Sequence, residues 1–190
     1  MEQSLVLIKP DGIQQKVVGK IIGRFEDAGL KVVGMKMVWA DEKKAREHYP
    51  LDEEWSIGVY AKTKASADKN NEKLDFKDHN EFGKFVQDGL VSFIQENPIV
   101  ALVLEGTHAI EVVRKMVGAT EPRTAAPGTI RSDFTSVESY PNANSQGRAV
   151  RNLIHASDSV ENAQKEIKTW FDDEEVHEYS RPGDDRIFGE

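Results

Sequence analysis

The stretch that most constrains this chain is Ile99-Val100-Ala101-Leu102-Val103-Leu104, six apolar residues in a row directly after Asn97-Pro98. It is far shorter than the roughly 18 residues a membrane-spanning helix needs. It also lacks the polar alternation of a strand with one wet face, so it reads as a strand buried on both faces. A second apolar run, Ser4 to Ile8, ends in the turn sequence Lys9-Pro10-Asp11-Gly12 and reads as another buried strand. From about Leu30 to Trp39, Val33, Met35, Met37 and Trp39 alternate with Lys36 and other residues at a period of two, which argues for a third. The brief segment Asn152-Leu153-Ile154-His155 is expected to be an edge or terminal strand.

Between these runs the period changes to that of a helix. Val17, Val18, Ile21, Ile22, Phe25 and Ala28 recur at helical spacing, with Gly29 where a helix-ending glycine belongs. Asp41 is placed to cap a short helix through Tyr49, and Phe82, Phe85, Val86, Phe93 and Ile94 mark another. Thr107 is placed to cap a helix through Ile110, Val113, Met116 and Val117, ended by Gly118. Asp158 and Glu161 have capping-box spacing ahead of Val160, Ala163, Ile167 and Trp170. The order predicts one α+β domain over residues 1–190, a ferredoxin-like βαββαβ with a four-stranded antiparallel sheet covered by helices. The polar segment 53–80 looks like an insertion. Thr120 to Arg151 is longer than the roughly 12 to 15 residues usual for a structureless loop, which points to a functional loop.

With 33 acidic against 25 basic residues the net charge is −8. That balance weighs against dedicated nucleic-acid binding, which needs a broad basic surface, but leaves room for a few inward-pointing cations that bind a polyphosphate. No membrane association is expected. The N-terminal residues lack a basic region ahead of an apolar one and the chain contains no cysteine, so a cytoplasmic location is expected.

The common nucleotide loops are missing. Gly12 to Lys20 has six residues between its glycines where a P-loop has four, and Ile21 stands where Ser or Thr would meet magnesium. The sharper signal is Asn152-Leu153-Ile154-His155-Ala156-Ser157-Asp158, in which a histidine sits between a short strand and a helix start, flanked by amide and hydroxyl groups that can fix its ring. The other histidines, His48, His79, His108 and His177, show no metal-ligand spacing and are assigned no role.

Residues 152–158 match in full the pattern N-x-x-H-[GA]-S-D, and the chain here resembles the nucleoside diphosphate kinase family. Ile8 to Gly12, Gly106 with its following helix, Arg114 to Pro122, Pro127 to Arg131 and the helix through Lys165-Glu166-Ile167 follow in family order. The resemblance implies a ping-pong transfer of the γ-phosphate of a nucleoside triphosphate such as ATP to a nucleoside diphosphate, with His155 as the nucleophile. By the same resemblance Lys9, Arg114, Thr120 and Arg131 bind phosphates and Asn152 contacts the ribose and phosphate end. Glu166 and Ser157 orient the histidine, and Tyr49 stands near the phosphate. Mg2+ is expected to arrive with the nucleotide, and a homo-oligomer, a hexamer or tetramer built from dimers, is implied.

The pattern is departed from in three places. About 30 extra residues lie between Tyr49 and Leu90 and about ten more between Asp133 and Arg151, where surface loops tolerate insertion; the first is similar to that of archaeal-type members. Counted back from Gly89-Leu90, the position that stacks on the base in the family falls on Val86, with Phe85 and Phe82 nearby. Ser132 replaces a glycine.

Overall fold

The computed structural model describes residues 1–69 and 76–184. Four strands, β1 (Glu2–Ile8), β2 (Lys31–Val38), β3 (Ile99–Gly106) and β4 (Ile154–Ala156), form one sheet in the order β2-β3-β1-β4, every neighbouring pair antiparallel. This is the expected ferredoxin-like α+β arrangement.

Both faces of the sheet are packed. Val6 and Ile8 of β1 with Leu102 and Leu104 of β3 meet Ile21 and Phe25 of α2 (Val18–Asp27) and Val113 and Val117 of α6 (Ala109–Val117). On the opposite face Leu5, Leu7, Ala101 and Val103 meet α3 (Glu42–His48) through Ala45, α5 (His79–Ile94) through Val91 and Ile94, and α9 (Val160–Trp170) through Trp170. Two apolar faces leave the register of β1 and β3 weakly specified by burial. A polar row at the sheet end supplies the distinction: Glu105 pairs with Gln3 on one side and Lys31 on the other, bonding the first at 2.9 Å and the second as an ion pair at 2.9 Å.

Several ends differ from expectation. The turn Lys9-Pro10-Asp11-Gly12 winds into a short helix, α1 (Pro10–Gln14), with proline at its first position, where its missing N–H costs nothing. Asp41 caps α3 as expected, accepting from Lys44 N at 2.7 Å. Thr107 does not cap α6: its N-cap is His108, at φ 55°, and the free Ile110 N–H is taken by the Glu2 carboxylate at 3.1 Å. Ser159 rather than Asp158 caps α9, accepting from Asn162 N, while Asp158 binds the Asn162 side chain. A one-residue shift is enough to separate the two, because both types satisfy the same N–H groups.

Much of the polar segment 53–80 is helical. α4 (Glu53–Lys69) lies along α5, which starts one turn earlier than predicted because Asp78 caps it. The two helices meet closely at Gly83, where a Cβ would come within 2.4 Å of the Ser56 hydroxyl. Residues 70–75 of that segment lie outside the described residues. The stretch 120–151 is likewise not structureless. It holds a 3-10 turn at Pro122–Thr124, α7 (Ile130–Thr135) capped by Thr129 and α8 (Tyr140–Ser145) capped by Ser139. A half-buried Arg148–Glu138 ion pair at 2.9 Å ties its far end back.

Candidate active site

Antiparallel pairing sets His155 opposite Leu7 and therefore on the sheet face that α3 and α9 cover. Glu166 of α9 and His48 at the end of α3 both reach it there. His155 Nε2 lies 3.0 Å from Glu166 Oε1, and the Ser157 hydroxyl donates to Glu166 Oε2 at 2.6 Å. Ser157, fully buried, also accepts from Leu5 N of β1 at 3.0 Å. Each carboxylate oxygen thus has its own partner, which fixes the plane of the group that faces the imidazole. His155 and Glu166 keep 22% and 16% of their side-chain surface open, so the ring remains reachable from outside.

The residue before β4 is held in an unfavourable backbone state. Leu153 sits at φ 66° with its side chain fully buried, a conformation that costs roughly 1–2 kcal/mol for an L-residue. Asp11 stabilises it: Oδ2 accepts from Leu153 N at 2.9 Å while Oδ1 accepts from Gly12 N at 3.1 Å. Lys9 N donates to the Leu153 carbonyl at 2.8 Å. Burial raises the Asp11 carboxyl above its ordinary range, against the pull of those two N–H groups and of the Lys9 charge. The end of β1 and the start of α1 therefore clamp the segment that carries the histidine.

The cations gather around the same segment. Lys9, only 5% exposed, donates from Nζ to Asn152 Oδ1 at 2.9 Å. Asn152 Nδ2 donates to the Thr120 carbonyl at 3.0 Å. Arg131, also buried, donates to three backbone carbonyls: Asn152 at 3.1 Å, Gly118 at 2.9 Å and Ile154 at 2.7 Å. Among the described residues neither Lys9 nor Arg131 has a carboxylate within ion-pair distance. Burial, then the neighbouring Arg131 charge, lowers Lys9 to about 8, partly offset by Asp11. Burial lowers Arg131 to about 10, with Arg114 adding its repulsion and Tyr140 and Asp11 opposing it.

The remaining predicted residues are more loosely attached. Arg114 is exposed at the end of α6 and shares a surface hollow with Gly118 and Thr129. Thr120 enters the network through its carbonyl, its side chain being exposed. The Tyr49 hydroxyl is buried with no hydrogen-bond partner among the described residues, and burial together with the Glu166 and Asp11 charges pushes its pKa up. Val86 is half-buried on α5. Its neighbour Gln87 donates to the Tyr49 carbonyl at 2.6 Å, which fixes the end of α3 to α5.

Two residues assigned nothing from sequence belong to this cluster. Asp11 was legible only as part of a turn. His48 was set aside for want of metal-ligand spacing, yet its ring centroid lies 4.3 Å from that of His155. The signal was its place beside Tyr49 at the end of a helix whose Ala45 faces inward. Burial first, then the His155 and Lys9 charges, holds His48 well below the ordinary histidine range. His48, His155 and Glu166 each offer a ligand atom within 4.8 Å of the others. Two imidazoles and one carboxylate suit zinc-like ions better than Mg2+, which prefers an all-oxygen octahedron, and the buried Lys9 and Arg131 oppose any resident cation.

An imidazole braced by a carboxylate, next to buried cations with no carboxylate at ion-pair distance among the described residues, suits a group that is itself polyanionic, and so defines a phosphotransferase. The family model for nucleoside diphosphate kinase matches residues 2–57 and 57–176. A nucleoside diphosphate kinase of Pyrobaculum aerophilum is 43% identical over 94% of this chain and 99% of its own, and one of Pyrococcus horikoshii is 43% identical over 96% and 93%. Among solved structures, an NDP kinase from Pyrobaculum aerophilum superposes with a TM-score of 0.89 at 40% identity, covering 93% of this chain and 99% of that one. A transition state mimic of the Borrelia burgdorferi enzyme with bound vanadate and ADP gives 0.80 at 35% identity, covering 98% and 96%. The chain belongs to the nucleoside diphosphate kinase family, and its activity is transfer of a terminal phosphate between nucleotides.

Proposed function

We propose that the transfer runs through His155, which accepts the γ-phosphate of a nucleoside triphosphate at Nδ1 and passes it to a nucleoside diphosphate in a ping-pong cycle. The observation that carries this is the engagement of Nε2 by Glu166. With the proton held on Nε2 by the carboxylate, the lone pair is left on Nδ1. That lone pair forms the N–P bond while the P–O bond to the β-phosphate breaks and its electron pair leaves with the diphosphate. No proton has to move from Nδ1 in this step. The second half-reaction reverses it with a different diphosphate.

The loose transition state of phosphoryl transfer spreads charge over the equatorial oxygens, so fixed positive charge and positioning do most of the work. Lys9, Arg131 and the exposed Arg114 supply that charge, and Asn152 and Thr120 line the approach to it. Tyr49 contributes its unpartnered hydroxyl. Val86 is assigned to the base, for which an aliphatic contact gives little discrimination among base edges. The donor set around His155 does not suit Mg2+, so the ion would arrive with the nucleotide and would offset phosphate charge there, with Lys9, Arg131 and Arg114 meeting the remaining oxygens. The vanadate and ADP of the Borrelia burgdorferi relative and the CDP of a Halobacterium salinarum relative 34% identical support a diphosphate at this place.

The same reading treats the chain as one domain with an insertion at about 53–80 and an extended loop at about 135–150. It makes the protein a homo-oligomer: Met35, Met37 and Trp39 are 59%, 60% and 62% exposed in and just beyond the edge strand β2, an apolar row that a second copy could cover. No described helix is long and apolar enough to cross a membrane, and the cysteine-free composition supports a cytoplasmic site of action.

The test is chemical. Incubated with ATP labelled at the γ-phosphate and freed of nucleotide, the protein is expected to retain an acid-labile label that unlabelled diphosphate discharges. His155→Ala should carry no label and still bind ADP. Undiminished label on that variant would refute the assignment.

A further inference from the structure

His48 is an unexpected residue to bury. It is 5% exposed, and neither ring nitrogen has a hydrogen-bond partner among the described residues. Folds avoid leaving a buried donor or acceptor unpaired, because nothing then replaces the water it gave up. Two such nitrogens in one ring point to a ligand that they receive. Burial first, then the His155 and Lys9 charges, keeps the ring in its neutral form, so one of the two always carries an open lone pair. The ring stands edge to face with His155, centroids 4.3 Å apart and planes at 82°. One nitrogen of His48, one nitrogen of His155 and one oxygen of Glu166 lie within 4.8 Å of each other.

Two neutral imidazoles and a carboxylate are a donor set that zinc uses with a water as fourth ligand. In a tetrahedron of bonds near 2.0–2.1 Å, neighbouring donors lie about 3.3 Å apart. His155 Nε2 and Glu166 Oε1, at 3.0 Å, already stand close to that spacing. An adjustment of about 1.5 Å, from 4.8 Å to that spacing, brings in the third donor. His155 and Glu166 keep 22% and 16% of their side-chain surface open, which gives the ion an entrance and its water a place. The Ser157 hydroxyl donates to Glu166 Oε2 at 2.6 Å, an outer hydrogen bond of the kind that orients a metal-bound carboxylate. Lys9 and Arg131 act against the ion, but neither occupies a donor: Lys9 bonds Asn152 Oδ1, and Arg131 bonds three backbone carbonyls. Their charge weakens the site without filling it, which suits an ion that comes and goes and not one retained through turnover.

We infer that His48, Glu166 and Nε2 of His155 form an inhibitory zinc site. Inhibition follows from the tautomer. A neutral imidazole has a single ring lone pair, and zinc at Nε2 takes it. The proton on Nε2 leaves to water and another is taken up at Nδ1, so the ring stays neutral. Nδ1 then has no lone pair with which to form the N–P bond, and phosphoryl transfer stops while the cations proposed for the nucleotide phosphates stay as they are. Zinc binding itself assumes no mechanism; the inhibition rests on His155 being the nucleophile through Nδ1.

The experiment dialyses the nucleotide-free full chain against Zn2+ in a metal buffer, with His48→Phe and Glu166→Gln alongside. The unsubstituted protein should take up one ion per chain. Each variant should bind at least about a hundredfold more weakly, since losing a ligand costs more than the 10–100-fold typical of an outer partner. With the histidine rings labelled in 15N, zinc should move the His155 proton from Nε2 to Nδ1. Given γ-labelled ATP with Mg2+ at fixed free zinc, the protein should lose phosphorylation in proportion to its zinc occupancy and recover it when a chelator removes the ion. No uptake by the unsubstituted chain overturns the inference. So does equal binding by His48→Phe, or a zinc-loaded chain that is phosphorylated at full rate. Melting temperature shows whether His48→Phe is folded; if it is not, Glu166→Gln decides alone, and undiminished zinc binding there refutes the site. Failure of the nucleophile assignment would look different: zinc would still bind, and no label would reach His155 even without it.

Discussion

With Lys9 as the proposed phosphate ligand, nucleotide affinity should depend on pH in a way that can be worked out from the surroundings of its ammonium. Burial and Arg131 lower it from 10.5 to about 8, which at about 1.36 kcal/mol per pH unit means that the empty site holds its ammonium at a cost of about 3 kcal/mol. A bound phosphate reverses that, because it favours the charged form. Below about pH 7 Lys9 is protonated with or without nucleotide, and affinity should be flat. Above about pH 8 the free protein releases the proton and binding must take one up, so ADP affinity should fall about tenfold per pH unit, reaching roughly 300-fold if the bound lysine regains its ordinary value. For the empty protein the sign is opposite: the unfolded chain binds the extra proton between about 8 and 10.5, so the Lys9 contribution to stability improves as pH rises through that window. Isothermal titration of ADP from pH 7.5 to 10 against Lys9→Met measures it. The variant should bind more weakly at pH 7.5 and lose the slope. An equal decline in both proteins, or a flat profile in the unsubstituted one, refutes the reasoning.

Two further substitutions probe the clamp around His155. Asp11→Asn cannot accept both the Leu153 and Gly12 N–H groups with a full charge, so chemical denaturation should show a loss of about 1–3 kcal/mol. The transfer rate should fall with it; stability and rate both unchanged would mean that Leu153 needs no support. Gly118→Ala forces a side chain onto φ 86° with its Cβ 2.5 Å from the Thr129 hydroxyl, and since Gly118 also receives Arg131, it should raise the KM for nucleotide as well as lower the melting temperature. A pure stability loss with unaltered KM would show that this bond of Arg131 is dispensable.

Strand positions were legible in the sequence because apolar runs and alternation are carried by many residues at once, as in Ile99 to Leu104. So was His155, since a seven-residue pattern names it. Caps were less so: Asp158 and Ser159 are equally good acceptors, and only the backbone path chooses between them. The interior of segment 53–80 looked polar because the described residues by which α4 meets α5, Ser56 on Gly83 and Tyr60 on Phe82 among them, are scattered along it and form no continuous apolar stripe in the sequence. His48 and Asp11 escaped for a different reason. Each acts through one partner more than 100 residues away, His48 on His155 and Asp11 on Leu153, and spacing along a chain carries no trace of such pairs.

β4 is three residues long and pairs with β1 alone, its Ile154 packed in the core beneath α6. Such a ribbon opens more readily than the other three strands, because few backbone bonds break, although Leu153 and Ile154 leave the core on its α2 and α6 side with it. What keeps it down are side-chain tethers, namely Asp11, Arg131 and Ser157, drawn from three separate parts of the chain. Heat or denaturant should therefore silence the enzyme before the domain as a whole melts, and amide exchange at Ile154 to Ala156 should track activity more closely than any spectroscopic measure of overall structure.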